Sequence, residues 1–209
     1  MDQGSPQHHE EGESRRITDG NLMFLMGSLS PQIDRIQYVD RNDSTTFADS
    51  YGRRYGLALM GMMPTRLGEP TSPYVSVTFE MDYRSTRTTD QRTLSEINPS
   101  ISLGVGVLQC LGEHIACYVG PRIGIGYVFI SDQRLTGDTS YQYSTNGSTL
   151  RLGADLGVIA DFDGVDLIWQ VGYEVKLTEA RFGDATQDFG TADYVTRGLV
   201  FSFGIGGRF

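Results

Sequence analysis

A chain of 209 residues with a formal net charge of -9 is long enough for one ordinary domain or one small barrel, and its acidic balance argues against a nucleic-acid partner, because a phosphate backbone requires a basic surface. Apolar residues make up only 39%, and no run approaches the roughly 20 apolar residues of a spanning helix. A membrane barrel needs no such run, because only alternate residues of each strand face lipid. The 26 glycines come without a collagen-like repeat, and 11 Tyr and 10 Phe accompany a single Trp, a balance suited to aromatic girdles at strand ends.

Residues 1–20 are polar and without periodicity, which predicts a disordered N-terminal arm. They lack the charged-then-apolar pattern of an export signal, so an exported barrel would be read here as a mature form with an added start Met. His8 and His9 fall in this arm. From residue 21 onward, segments of period-two alternation recur between turn-rich stretches, the signature of β-strands with one apolar face. The first spans about 21–29, with Leu22, Phe24 and Met26 on one parity. The second, about 51–63, carries Tyr55, Leu57, Leu59 and Met63 on one side. The third, about 74–83, opposes Val75, Val77, Phe79, Met81 and Tyr83 to Ser76, Thr78, Glu80 and Asp82.

The fourth, about 96–109, sets Ile101, Leu103, Val105 and Val107 against Ser100, Ser102, Gly104 and Gly106. The fifth, about 115–130, sets Val119, Ile123, Ile125, Tyr127 and Phe129 against Gly120, Arg122, Gly124 and Gly126. Cys110 and Cys117 flank the tight hairpin between these two, a spacing that predicts a disulfide if the register pairs them in an oxidising compartment. The sixth segment, about 149–161, opposes Leu150, Leu152, Ala154, Leu156 and Val158 to Arg151, Gly153, Asp155 and Gly157. The seventh, about 165–177, opposes Leu167, Trp169, Val171, Tyr173 and Val175 to Asp166, Gln170, Gly172, Glu174 and Lys176. The eighth, about 194–209, ends with Phe201, Phe203, Ile205 and Phe209 on one parity and Ser202, Gly204, Gly206 and Arg208 on the other.

Eight strands, no helical period and an alternation of long and short connections predict an all-β, eight-stranded antiparallel up-and-down transmembrane barrel over residues 21–209. The long connections, about 30–50, 84–95, 131–148 and 178–193, read as water-exposed loops. The glycine-rich parity fits a crowded lumen better than an exposed face. A Lys or Arg facing lipid at mid-depth costs about 2–4 kcal/mol, and Arg122, Arg151, Asp155, Glu174 and Lys176 all share the glycine parity. The apolar parity is therefore expected to face lipid, with Arg197 as the exception, snorkelling near the outer end of the last strand. Glu80, Asp82, Arg122, Arg151, Asp155, Glu174 and Lys176 form the expected lumen charge network, because buried charges must be paired. It serves either as a polar plug or as the lining of a narrow ion path.

No catalytic residue, cofactor or metal site is expected. His114 stands in a short turn, the long connections contain no His for proton transfer, and the acidic stretch near residues 130–140 lacks calcium-loop spacing. Gly124-x-Gly126 and Gly204-x-Gly206 precede no helix, which excludes a dinucleotide loop.

Residues 20–209, closing on Phe209, resemble the small eight-stranded outer-membrane barrels of the OmpA, OmpX and opacity-protein type. Gly207 departs from the aromatic often found third from the end in that pattern. The resemblance implies residence in the outer membrane of a Gram-negative-type bacterium, with outer-membrane lipid as surroundings. It also implies engagement of the barrel-assembly machinery by the terminal strand. It leaves open a structural anchor or interaction protein, meeting envelope partners through its loops or N-terminal arm, a narrow pore and a lipid-modifying enzyme. The first is favoured because an eight-stranded lumen is only wide enough for its own side chains.

Overall fold

The computed structural model describes residues 16–31, 33–34, 50–51, 53–89, 92–136, 139–183 and 188–209. Its strands are β1 (Leu22–Ser30), β2 (Ile33–Asp34), β3 (Ser50–Tyr51), β4 (Arg54–Pro64), β5 (Thr71–Thr89), β6 (Arg92–Cys110), β7 (Ile115–Thr136), β8 (Thr139–Phe162), β9 (Val165–Gly183) and β10 (Asp188–Arg208). Eight of them close a barrel in the order β1-β10-β9-β8-β7-β6-β5-β4, and β2 and β3 form a separate two-stranded ribbon. Every neighbouring barrel pair is antiparallel, and the ring shuts where Leu22 of β1 meets Arg208 of β10. Around the belt where all eight strands pair, closure leaves no open sheet edge, the condition for crossing hydrocarbon with strands.

The short connections, β4–β5, β6–β7 and β8–β9, share one rim with the start of β1 and the end of β10. The tightest is set by Asp163 and Gly164, whose φ values of 51° and 93° provide the two left-handed positions of a two-residue hairpin turn. The Gly164 N–H donates to Asp161 Oδ1 at 3.1 Å and fixes that corner.

Side chains divide by parity as the alternation predicts. Along β5, Tyr74, Ser76, Thr78, Glu80, Asp82 and Arg84 are buried, while Phe79, Met81 and Tyr83 are exposed. The interior is inverted relative to a soluble protein: Arg151 is 1% exposed and Glu174 2%, whereas Leu57 is 62% and Ile125 63% exposed. Glycines make the narrow lumen passable for its own contents. A Cβ on Gly157 would lie 2.3 Å from the Tyr118 ring, and one on Gly172 would lie 2.3 Å from Asp155 Oδ1. Both positions sit where a large inward side chain on the adjacent strand needs the room.

Three expectations are corrected. The stretches read as loops at 84–95, 131–148 and 178–193 are largely strand: β5 and β6 pair up to Thr89 and Arg92, β7 and β8 up to Thr136 and Thr139, and β9 and β10 up to Gly183 and Asp188. Beyond the bilayer the outward face of a strand meets water, so the apolar alternation disappears while ladder bonds and Thr- and Tyr-rich β propensity persist. β8 has 24 residues, about 80 Å of extended chain, against an apolar band about 25 Å tall.

The second correction concerns the cysteines, which are free thiols. Cys110 lies opposite Ala116 and Cys117 opposite Gln109, so the pair is offset by one residue and falls on opposite faces of the sheet. Cys110 packs against the lumen cluster with buried Ala116, while Cys117 shares the outward row of Val158.

The third lies at the N-terminal boundary. Residues 1–15, the main part of the expected arm, lie outside the described residues. Ile17–Asp19, by contrast, form a 3₁₀ turn with Ile17 and Thr18 fully buried. This turn is tied across the short-turn rim: Thr18 Oγ1 donates to the Glu69 carbonyl at 3.0 Å, and Arg208 Nη1 to the Arg16 carbonyl at 3.2 Å.

Candidate functional site

The lumen is filled in layers. Nearest the short-turn rim, Ile17, Leu22, Phe24, Met26, Met62, Leu108, Ile159 and Ile168 pack into an apolar floor. Above it stand Tyr74 and Tyr118, ring centroids 5.8 Å apart and edge-on, with the Tyr118 hydroxyl donating to Gln170 Oε1 at 2.7 Å. The charged layer follows, and beyond it Val128, Ile130 and Ala180 are buried again.

Glu174 on β9 is the hub of the charged layer. Arg151 from β8 reaches its Oε2 with Nη2 at 2.7 Å and Nε at 3.0 Å, Arg122 from β7 adds Nη2 at 3.2 Å, and Arg54 from β4 takes Oε1. Arg151 also contacts Glu80 at 2.9 Å and Asp82 at 3.2 Å on β5. Arg122 meets Asp155 at 3.2 Å and Glu80 at 3.6 Å. Lys176 lies 3.7 Å from Glu96 on β6, which also pairs with Arg84 at 3.3 Å. Strands on opposite walls are thereby bridged across the barrel axis.

All seven residues expected in the network point inward and join it. Arg54, Arg84 and Glu96 belong to it as well and were missed, although parity could have found them: Arg84 continues Glu80 and Asp82, Arg54 precedes Gly56, and Glu96 precedes Asn98 and Ser100. Five cations (Arg54, Arg84, Arg122, Arg151 and Lys176) stand against five anions (Glu80, Asp82, Glu96, Asp155 and Glu174). The formal charges cancel, which is how so many ionic groups are tolerated out of bulk water. Between this layer and the floor, bounded in part by Glu80, Asp155, Arg122, Tyr118 and Gln170, remains an enclosed space of about 20 Å³, room for about one water.

The outer wall carries no comparable chemistry in its middle. Phe201, Phe203, Ile205 and Phe209 all face outward, and Phe203 packs against Trp169 at 5.5 Å between ring centroids. Arg197 also points outward, with Val195 beyond it on β10. His114 stays on the short-turn rim, its Nδ1 3.8 Å from Asp161 Oδ2. A water-soluble protein does not leave a continuous apolar girdle exposed; a closed barrel wearing one spans a membrane.

The fold is that of a small outer-membrane β-barrel. The outer membrane protein OprG of Pseudomonas aeruginosa superposes with a TM-score of 0.55 at 12% identity, covering 94% of this chain and 98% of that one. Ail, the attachment invasion locus protein of Yersinia pestis, gives a TM-score of 0.41 at 14% identity, covering 91% and 99%. Neither a protein-family model nor a curated protein matches the sequence. The likeness is one of architecture, and function must be argued from the residues.

Proposed function

We propose that the chain is a rigid outer-membrane anchor whose working surface is its exterior beyond the bilayer, where it meets envelope or external partners. The observation that carries this reading is the filled lumen: among the described residues a charged layer and an apolar floor stand in series across the bore. An eight-stranded bore has room for side chains and little else, so a role in bulk solute passage is disfavoured. The paired hairpins β5–β6, β7–β8 and β9–β10 support the same reading, because their ladders run on beyond the apolar belt to Thr89 and Arg92, Thr136 and Thr139, and Gly183 and Asp188.

During biogenesis the closing strand, with Phe201, Phe203, Ile205 and Phe209 outward, is the segment offered to the barrel-assembly machinery. No catalytic residue is assigned. The test is a planar-bilayer recording of the purified barrel together with cross-linking in native envelopes. The anchor reading expects no conductance steps above baseline, and cross-linked partners that disappear when the β7–β8 hairpin is shortened. Ohmic steps, with partners unaffected by shortening, would overturn it in favour of a narrow pore.

A further inference from the structure

On β8 the outward side chains change character in one step. Leu150 is apolar and exposed, and the next three outward residues are Ser148, Asn146 and Ser144, all exposed. Ser148 sits directly opposite Tyr127 on β7 and Glu179 on β9, so a short side chain is flanked by two long ones and the surface dips between them. The result is an open groove of about 490 Å³ lined by Tyr127, Ser144, Asn146, Ser148 and Glu179, with backbone between them. That size lies within the range of about 300–1,000 Å³ of small-molecule clefts. The row beneath it, Ile125, Leu150 and Leu177, is exposed and apolar, which puts the groove at the height where lipid gives way to headgroups.

Its aromatic wall is held in place. The Tyr127 ring meets Phe129 edge-on, with 5.0 Å between centroids and 70° between planes. The β6–β7 ladder skips Asn98 and Pro99 on β6 and Tyr127 and Val128 on β7, and the Asn98 side-chain amide donates to the Tyr127 carbonyl across this gap at 3.0 Å. A fixed aromatic face beside hydroxyl, carboxamide and carboxylate groups matches a ring with one C–H face and a rim of hydroxyls. Among the described lining residues a phosphate would meet the Glu179 carboxylate and no cation, and a quaternary ammonium would find one ring rather than a cage.

We propose that this groove binds a saccharide, at the level where the sugar headgroup of a membrane glycolipid would lie. The proposal requires the barrel to sit in a bilayer and does not depend on whether the lumen conducts. The test is saturation-transfer NMR of the full chain in lipid nanodiscs with two probes: free N-acetylglucosamine, and the same sugar on a lipid anchor within the disc.

Transfer to the anchored sugar alone supports the proposal with a membrane glycolipid as source, and transfer to both supports it with soluble glycans as well. Ser148→Trp, which fills the dip, and Tyr127→Ala, which removes the wall, are each expected to weaken binding by at least about five-fold. Glu179→Gln serves as a third variant should either fail to form a barrel, judged by heat-modifiable mobility on a gel. No transfer to either probe, undiminished transfer in the folded variants, or displacement of the sugar by inorganic phosphate would overturn the assignment.

Discussion

Arg151 grips a single oxygen of Glu174 with two nitrogens, Nη2 at 2.7 Å and Nε at 3.0 Å, and the same oxygen accepts a third bond from Arg122 at 3.2 Å. Two guanidiniums from β7 and β8 converge on one carboxylate from β9, and Arg54 brings β4 to its other oxygen. The layer therefore works as a cross-brace as well as a means of neutralising charge. Glu174→Ala leaves three buried guanidiniums short of their shared partner and is expected to lose about 3–5 kcal/mol of stability. Urea unfolding in detergent micelles or lipid vesicles measures it. A loss under about 1 kcal/mol would show that water or the remaining carboxylates replace Glu174 freely.

The lumen glycines predict a second, opposite kind of damage. Gly157→Val would drive its side chain into Tyr118, whose ring stands 2.3 Å from the position of a Cβ there. Overpacking of that sort costs about 1–3 kcal/mol, seen as a lowered unfolding midpoint or a smaller folded fraction on a gel. Adding Tyr118→Ala should recover part of the loss. A wild-type midpoint in Gly157→Val alone would mean that the lumen is looser than the structure shows.

Cys110 and Cys117 supply a prediction about register. Their one-residue offset places them on opposite faces of the β6–β7 hairpin. After air oxidation and denaturation, both thiols should take up maleimide, giving a mass gain of two adducts with or without reductant. Uptake only after reduction would mean that the hairpin pairs in a different register.

The lipid-facing wall can be tested by a single charge. Leu152 is 42% exposed on the outward face of β8, and Leu152→Arg is expected to cost about 2–4 kcal/mol in a bilayer. The same substitution at an outward polar position beyond the belt, Ser144→Arg, should change stability by less than about 0.5 kcal/mol. Equal, small effects at both positions would remove the argument for hydrocarbon around β8.

The membrane-spanning half of this protein was legible because lipid imposes period two on every strand it touches. Val75 to Tyr83 and Leu150 to Val158 alternate for that reason, and the charged residues on the other parity were placed inward by the same rule. What escaped notice lies where that constraint ends. The strand extensions beyond the belt, such as the stretch with exposed Gln142 and Ser144, carry no outward apolar row, so no hydrophobic period marks them, and they read as loops. Arg84 was lost to the network by falling in one of those extensions. The cysteine offset depends on how the β6–β7 turn sets its register, and a spacing of seven residues does not determine that. Ile17 and Thr18, too short a segment to show periodicity, are buried only because the barrel mouth closes around them.

Which face of each strand meets hydrocarbon is measured most directly by spin-label accessibility along residues 150–158 in lipid bilayers. Single labels at 150, 152, 156 and 158 should be relaxed by oxygen dissolved in the bilayer and shielded from an aqueous nickel chelate. Labels at 151, 153, 155 and 157 should be poorly accessible to oxygen, giving a period of two. Nickel-accessible labels at 152 and 156, or an absence of period-two alternation, would contradict the transmembrane barrel.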